Sequence, residues 1–235
     1  MTSNTTISHE IAATLRREIL TQQYRSGERL PSERDLAARF SASRGAVREA
    51  LSQLEQIGLI SVQPGGARVK PIEEASIAIL GPMLTLNEQP DPALVDQFLQ
   101  TFAALAALNA REALGLANGE QQEKIAAMLA EMRENSAEFE TTQRRWVELL
   151  EYLGGIADNL VVQLILNDLK AQFMERMVKE EFKPSLKKKV LNDLLQTLIR
   201  ASNEGDRDSF ASAVLRYFDE LRAAVVVDMN RRLAS

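Results

Sequence analysis

The chain has no cysteine at all among its 235 residues, and His9 is its single histidine. Without cysteine there is no disulfide framework and no thiolate nucleophile. With one imidazole, a multi-histidine metal site cannot be assembled. Aromatic residues make up only 5% of the sequence and tryptophan occurs once, so each large ring is worth locating. No stretch approaches the roughly 18 uninterrupted apolar residues of a membrane-crossing helix, which predicts a chain with no membrane partner. The start, MTSNTTISHE, lacks a basic region followed by an apolar run, so no secretory signal is expected. These absences together predict a cytoplasmic protein. The glycine-rich, G-x-S-x-G and H-E-x-x-H patterns of common enzyme sites are missing too, and no repeat of 20–50 residues suggests a solenoid.

Charge is distributed unevenly. The whole chain carries a formal −5, but residues 1–70 hold ten Lys and Arg against seven Asp and Glu, a net of +3, and the remainder a net of −8. Nine of those ten N-terminal bases are Arg, the side chain suited to bidentate contacts with phosphate and guanine. A basic end joined to an acidic body points to nucleic-acid binding at the N-terminus.

Periodicity divides the chain in the same place. Ile7, Ile11, Leu15 and Ile19 predict an amphipathic helix over residues 8–22. Gly27 and Pro31 punctuate the following stretch, and Ser32 can cap a short helix, Glu33–Phe40, with Glu33 and Asp35 in its first turn. Ser43 caps a third helix running to about Ile57, stopped by Gly58. Two short β-like pieces, Leu59–Val62 and Arg68–Lys70, then flank the turn-forming Gln63-Pro64-Gly65-Gly66-Ala67. Three helices followed by a hairpin form the order of a winged helix-turn-helix, predicted over residues 1–72. Residues 73–92 read as a linker and connecting helix. From 93 to 235 every pattern is helical: Val95, Phe98, Phe102 and Leu105; Ile125, Met128, Leu129 and Met132; Trp146, Leu149, Leu150 and Leu153; Leu164 and Asp168 onward to Phe173 and Met177; Leu191, Leu194, Leu195 and Leu198; Phe210, Val214, Phe218, Leu221 and Val225. Breaks fall at Asn87–Pro92, Asn118-Gly119, Gly154–Asn159, Lys183-Pro184 and Asn203–Asp206. The fold class expected is mainly α, a winged domain followed by an antiparallel bundle of six or seven helices.

A recognition helix places its N-terminal turns in the major groove. Ser43, Arg44 and Arg48 occupy those turns, the two Arg one turn apart on one face, while Val47, Leu51 and Leu54 face the other way. Gly45 leaves room beside them. A plainer alternative is that these Arg only solvate a helix surface. The stretches Leu30-Pro31-Ser32-Glu33-Arg34-Asp35-Leu36-Ala37 and Ser43-Arg44-Gly45-Ala46-Val47-Arg48-Glu49-Ala50-Leu51 decide between the two. They closely resemble the LPSER-type and SR-x-x-VREAL-type signatures of the GntR family of bacterial regulators, and the match runs without a gap through nearly all of residues 8–70. The resemblance implies that Arg34, Arg44 and Arg48 contact double-stranded DNA and that Gly65-Gly66 approaches the minor groove. It further implies a homodimer on a palindromic operator, nucleoid-associated in the cytoplasm.

The second part resembles, more diffusely, the all-helical FCD domain of the FadR branch of that family. Many members hold a divalent metal there through one Asp or Asn and three His. By alignment the four positions fall on Trp146, Leu150, Leu195 and Tyr217, which cannot ligate such an ion, so no metal or other cofactor is expected. An Arg that relatives often place in the first long bundle helix appears as Phe102. The resemblance to the metal-free, fatty-acid-responsive members suggests an apolar effector pocket lined by Phe98, Phe102, Trp146, Leu150, Leu195 and Tyr217, with a fatty acyl-CoA as candidate effector. Leu221 and Val225 depart from that pattern. Two alternatives stay open: that these side chains only fill a core, leaving a constitutive or architectural DNA-binding dimer, and that Lys187-Lys188-Lys189 is a solvated helix start rather than a phosphate contact. An enzyme tethered to DNA is a third class, but no catalytic constellation supports it.

Overall fold

The computed structural model describes residues 2–87, 90–134, 139–179 and 186–233, with side chains described at 7–87, 90–134, 142–171, 186–229 and 231. The chain divides into two compact units, Met1–Pro90 and Asp91–Ser235, each taken by itself below.

The first unit contains α1 (Thr2–Leu20), α2 (Glu33–Arg39), α3 (Arg44–Gln56), β1 (Ile60–Gln63), β2 (Gly66–Val69) and a short α4 (Leu80–Leu84). Helix α1 begins earlier than periodicity suggested. Its buried face is Ile11, Ala12, Leu15 and Ile19, and Ile7 stays exposed. Ser32 Oγ accepts from the Asp35 amide and Ser43 Oγ from the Ala46 amide, satisfying donors that the first turns of α2 and α3 leave open. Between these helices Ser41 turns the chain at φ +51. Helix α3 stops where expected, because Gly58 takes φ +76 and a Cβ there would lie 3.0 Å from the Glu74 carbonyl. Leu15, Leu36, Val47, Leu54, Leu59 and Ile60 fill the core, to which Ile79 also belongs.

The hairpin is tighter than its composition implied. Ile60 pairs with Val69, Ser61 with Arg68, Val62 with Ala67 and Gln63 with Gly66, so only Pro64 and Gly65 make the turn, and the second strand starts at Gly66 rather than Arg68. A third extended segment, read from sequence as a break, lies along the other edge of β2. Gly27 N–H donates to Val69 O (2.8 Å), Val69 N–H to Glu28 O (2.9 Å) and Leu30 N–H to Ala67 O (2.9 Å).

The second unit holds six helices among the described residues: α5 (Pro92–Leu116), α6 (Gly119–Glu134), α7 (Phe139–Ala157), α8 (Leu160–Lys179), α9 (Lys188–Glu204) and α10 (Arg207–Leu233). Asp91 caps α5 just ahead of Pro92 at the first helical position. Helix α5 packs chiefly on α10 and α7, with α9 against α10 and α6. The α5–α10 pair is antiparallel. Arg222 Nε meets Asp96 at 2.8 Å near one end, and Arg111 Nε meets Asp208 at 2.7 Å near the other.

Two sequence readings need correction. Gly154 and Gly155 lie inside α7, which continues to Ala157 because Ile156 and Ala157 are buried; the break comes at Asp158, φ +50. Among the described side chains of α8, Val162 and Leu169 are buried, whereas Leu160, Val161 and Leu164 are 65%, 66% and 59% exposed, so the inward face is the row through Val162 and Leu169 rather than the one through Leu164 and Asp168. The break expected at Lys183-Pro184 and the side chains of Phe173 and Met177 lie outside the described residues.

Candidate nucleic-acid interface and bundle core

Helix α3 sorts its side chains as the sequence required. Ala46, Val47, Ala50, Leu51 and Leu54 are buried, and Ser43, Arg44, Gly45 and Arg48 are exposed together at its start. Because Ser43 Oγ uses a lone pair as helix cap, its hydroxyl proton remains able to donate to an anion. Arg34 is exposed on α2, with the Asp35 carboxylate 3.6 Å away, too far for a hydrogen bond.

Arg48 is held. Its Nε and Nη2 donate to the two carboxylate oxygens of Glu33 at 3.3 and 3.0 Å, a fork-to-fork contact between α3 and the first turn of α2. The Arg48 hydrogen bond keeps the Glu33 carboxyl below the ordinary carboxylate range against an opposing desolvation, and the nearby positive charges of Arg48 and Arg44 add to it. Glu33 was missed as a site residue, because its role depends on how α2 crosses α3. A second ion pair ties α2 to α1: Arg39 Nη1 donates to Glu18 Oε2 at 3.0 Å, its Nη2 bonds Glu18 Oε1, and the Arg39 guanidinium lies over the Phe40 ring. Glu18 is buried, so this pair holds α2 in place with two charge-assisted bonds.

Gly65 and Gly66 take φ +109 and +124 at the hairpin turn, conformations that side chains with a Cβ rarely adopt. What approaches them is Arg29: a Cβ at Gly66 would sit 2.9 Å from Arg29 Nε and 3.1 Å from its Nη2. Arg29 had no sequence signal, since Gly-Glu-Arg-Leu before Pro31 reads as a turn.

In the bundle, five rings form a continuous column. Phe98 stacks on Phe102 (centroids 6.3 Å), Phe102 meets Phe218 edge-on (5.4 Å), Phe218 meets Tyr217 (5.2 Å), and Tyr217 stacks on Trp146 (3.8 Å, 20° between planes). Four of the six residues expected to line an effector pocket, Phe98, Phe102, Trp146 and Tyr217, therefore come together. Leu195 is fully buried and Leu150 partly so. Phe218 was not anticipated in this role. Burial raises the Tyr217 phenol pKa, so it stays protonated. Three buried polar atoms of the bundle have no hydrogen-bond partner among the described residues, Trp146 Nε1, Asn109 Oδ1 and Arg145 Nη1. A surface hollow of about 330 Å³, lined by Leu194, Thr197, Asp208, Ser209 and Arg216 among others, includes none of the six. Lys187, Lys188 and Lys189 are exposed at the start of α9.

The four positions inferred as ligands from family resemblance do not fit a divalent metal. They carry an indole stacked on a phenol and two leucines, a donor set no divalent ion accepts. Among the described residues, no three His, Cys, Asp or Glu side chains gather.

A capped helix-turn-helix with a paired wing and an arginine-bearing third helix, followed by a helical unit, is the architecture of a winged-helix protein with an all-helical C-terminal domain. Residues 7–69 match the model of bacterial regulatory proteins of the gntR family, and residues 71–235 match the FadR C-terminal domain. The chain belongs to the GntR family, FadR type. Among curated relatives, an uncharacterised HTH-type transcriptional regulator of Mycobacterium tuberculosis is 33% identical over 52% of this chain and 50% of its own length. The fatty acid metabolism regulator protein of Shewanella amazonensis is 31% identical over 67% of this chain and 65% of its own, and that of Haemophilus influenzae 24% identical over 82% and 78%. The match thus spans from half to about three quarters of these relatives' lengths. Among solved structures, Lar, which controls expression of the Listeria monocytogenes agr system, overlaps with TM-score 0.51 at 18% identity, covering 93% of this chain and 95% of Lar, a likeness of fold. No helix among the described residues is long and apolar enough to cross a membrane.

Proposed function

We propose that the protein acts as a cytoplasmic homodimer on a palindromic operator, and that a mainly apolar effector of the fatty acyl type, entering the bundle, alters that binding. Arg34, Arg44 and Arg48 with Ser43 and Gly45 are the DNA contacts in this reading, with Gly65-Gly66 at the wing, and the chain has no catalytic role. Two-fold symmetry of the dimer would match that of the operator. The observation that carries the effector is the ring column from Phe98 to Trp146, an apolar interior in which the buried donor Trp146 Nε1, like Arg145 Nη1 next to it in the chain, has no acceptor among the described residues. An acyl carbonyl supplies that acceptor, and its chain gains about 0.8 kcal/mol for each buried CH₂. A small hydroxy or sugar acid would meet few polar partners there, and its buried carboxylate would cost several kcal/mol. That the name shared by the Shewanella and Haemophilus relatives refers to fatty acid metabolism agrees with this reading.

The test is calorimetry with acyl-CoAs of increasing chain length beside small organic acids, repeated on Phe102→Arg. Affinity should rise about fourfold per CH₂ and collapse in the variant. Tight binding of small acids with none of the acyl series would overturn the proposal. A second reading has its own support: Trp146, Leu195 and Tyr217 are at most 2% exposed, as in a core that only dimerises. No ligand shifting either the melting midpoint or DNA affinity would favour that constitutive dimer.

A further inference from the structure

The edge segment Gly27–Leu30 and β2 place Arg29 and Arg68 opposite each other in an antiparallel bridge. Leu30, Ala67 and Val69 are buried beneath the sheet, and both Arg are exposed. Two like charges directly across strands repel, yet among the described residues no carboxylate forms an ion pair with either. Two carboxylates beside this sheet are otherwise engaged: Glu28 accepts from the Arg25 amide (2.9 Å) and Glu55 from the Val62 amide (2.7 Å). Arg68 donates to the Gly27 carbonyl at 3.0 Å. The Arg29 guanidinium lies on the Gly65-Gly66 turn instead, in the space a Cβ at Gly66 would occupy. An arginine laid along a turn with no carboxylate partner among the described residues, beside a second cation, is a preorganised anion contact.

We propose that Arg29 is a DNA-contacting residue of the wing, and that the double glycine serves chiefly to dock its guanidinium at the tip. Its ligand is the duplex alongside the groove that α3 enters, through phosphate oxygens or through the electronegative floor of a narrow minor groove. The proposal rests on the DNA-binding reading and adds a residue to it. Arg29 positions no base-reading side chain of α3, so its contribution is separable from that of Arg44.

The experiment uses the full chain and 30-bp duplexes enriched from a random pool, with flanks made either A·T-rich or G·C-rich, titrated by fluorescence anisotropy across salt concentrations. Arg29→Gln should lower the slope of log affinity against log salt by roughly 0.9 per protomer, so that the wild-type advantage shrinks about 3.5-fold per protomer between 50 and 200 mM salt. Arg29→Lys should restore the slope. A loss confined to A·T-rich flanks identifies the minor groove, and an equal loss on both identifies phosphate. Gly66→Ser should reproduce the defect, and adding Arg29→Gln to it should change nothing further. Circular dichroism melting verifies that each variant is folded. Wild-type slope and affinity in folded Arg29→Gln would overturn the proposal, and strictly additive losses in the double variant would overturn the docking of Arg29 on the turn. If the wild type enriches no duplex at all, the DNA-binding reading fails, and this inference with it. If wild-type binding is intact and sensitive to Arg44→Ala but not to Arg29→Gln, only this inference fails.

Discussion

Trp146→Phe separates two costs that normally travel together. Trp146 is 1% exposed and stacked on Tyr217, so Trp146→Ala should cost about 3–5 kcal/mol, as large aromatic truncations in cores do. Replacing indole by phenyl keeps a ring on the phenol and removes on the order of 45 Å² of apolar surface from the buried total, a loss of roughly 1 kcal/mol. It also removes a buried N–H with no acceptor among the described residues, whose desolvation costs about 1–3 kcal/mol when unmet. The two terms oppose each other, and the net change should lie within about 1–2 kcal/mol of zero, on the neutral or stabilising side. The assay is urea unfolding followed by far-ultraviolet circular dichroism, since the substitution removes the chain's single tryptophan and with it the fluorescence signal. A destabilisation of Trp146→Phe comparable to that of Trp146→Ala would refute the reasoning, by showing that the indole N–H makes a hydrogen bond worth keeping. Neutral stability joined to weakened acyl-CoA binding would tie that donor to the effector.

Two further outcomes concern the helix-turn-helix. Arg44→Ala should cost about 1–3 kcal/mol in operator affinity and relax preference at one base position; unchanged affinity in an anisotropy titration would remove Arg44 from the interface. Glu33→Gln should loosen the Arg48 fork and reduce discrimination between selected and random duplexes. Because the folded-state pKa of Glu33 is lowered, chiefly by the Arg48 hydrogen bond, its contribution to stability is present above the ordinary carboxylate range and lost as pH falls through the depressed value. Acid titration of stability should therefore be flatter in Glu33→Gln than in wild type, and parallel curves would show that the pair contributes nothing.

Local chemistry made much of this fold legible. Ser32 and Ser43 cap the helices they precede, Gly58 ends α3, and Val47, Leu51 and Leu54 turn inward while Arg44 and Arg48 turn out. Each of those positions carries its own instruction within a turn or two of chain. What escaped depends on partners distant in sequence. Gly27–Leu30 is extended because β2 offers it hydrogen bonds, about forty residues away, although its glycine and the following proline look like punctuation. Gly154 and Gly155 stay helical because the packing of Ile156 and Ala157 outweighs the cost of glycine in a helix. The aromatic column was legible in Phe98, Phe102, Trp146 and Tyr217, but not the link through Phe218, since adjacent residues on one helix seldom serve the same cluster. Arg29 and Glu33 belong to the same group: both acquire their role from an element that folds against them.

The ion pairs Asp96–Arg222 and Arg111–Asp208 stand fifteen residues apart on α5 and fourteen apart on α10, a separation of about 22 Å at the α-helical rise. They work like two rungs of a ladder with the aromatic rings wedged between them. Sliding α10 along α5 by one turn, about 5.4 Å, would break both rungs at once and drive Phe218 out of its contact with Phe102. Each rung alone is a surface ion pair of small worth, but rungs and rings fail together. A ligand that wedges the rings apart is therefore opposed along the helix axes and less so across them. Lateral spreading or rotation, by contrast, would leave the register of both rungs along the helix axes unchanged.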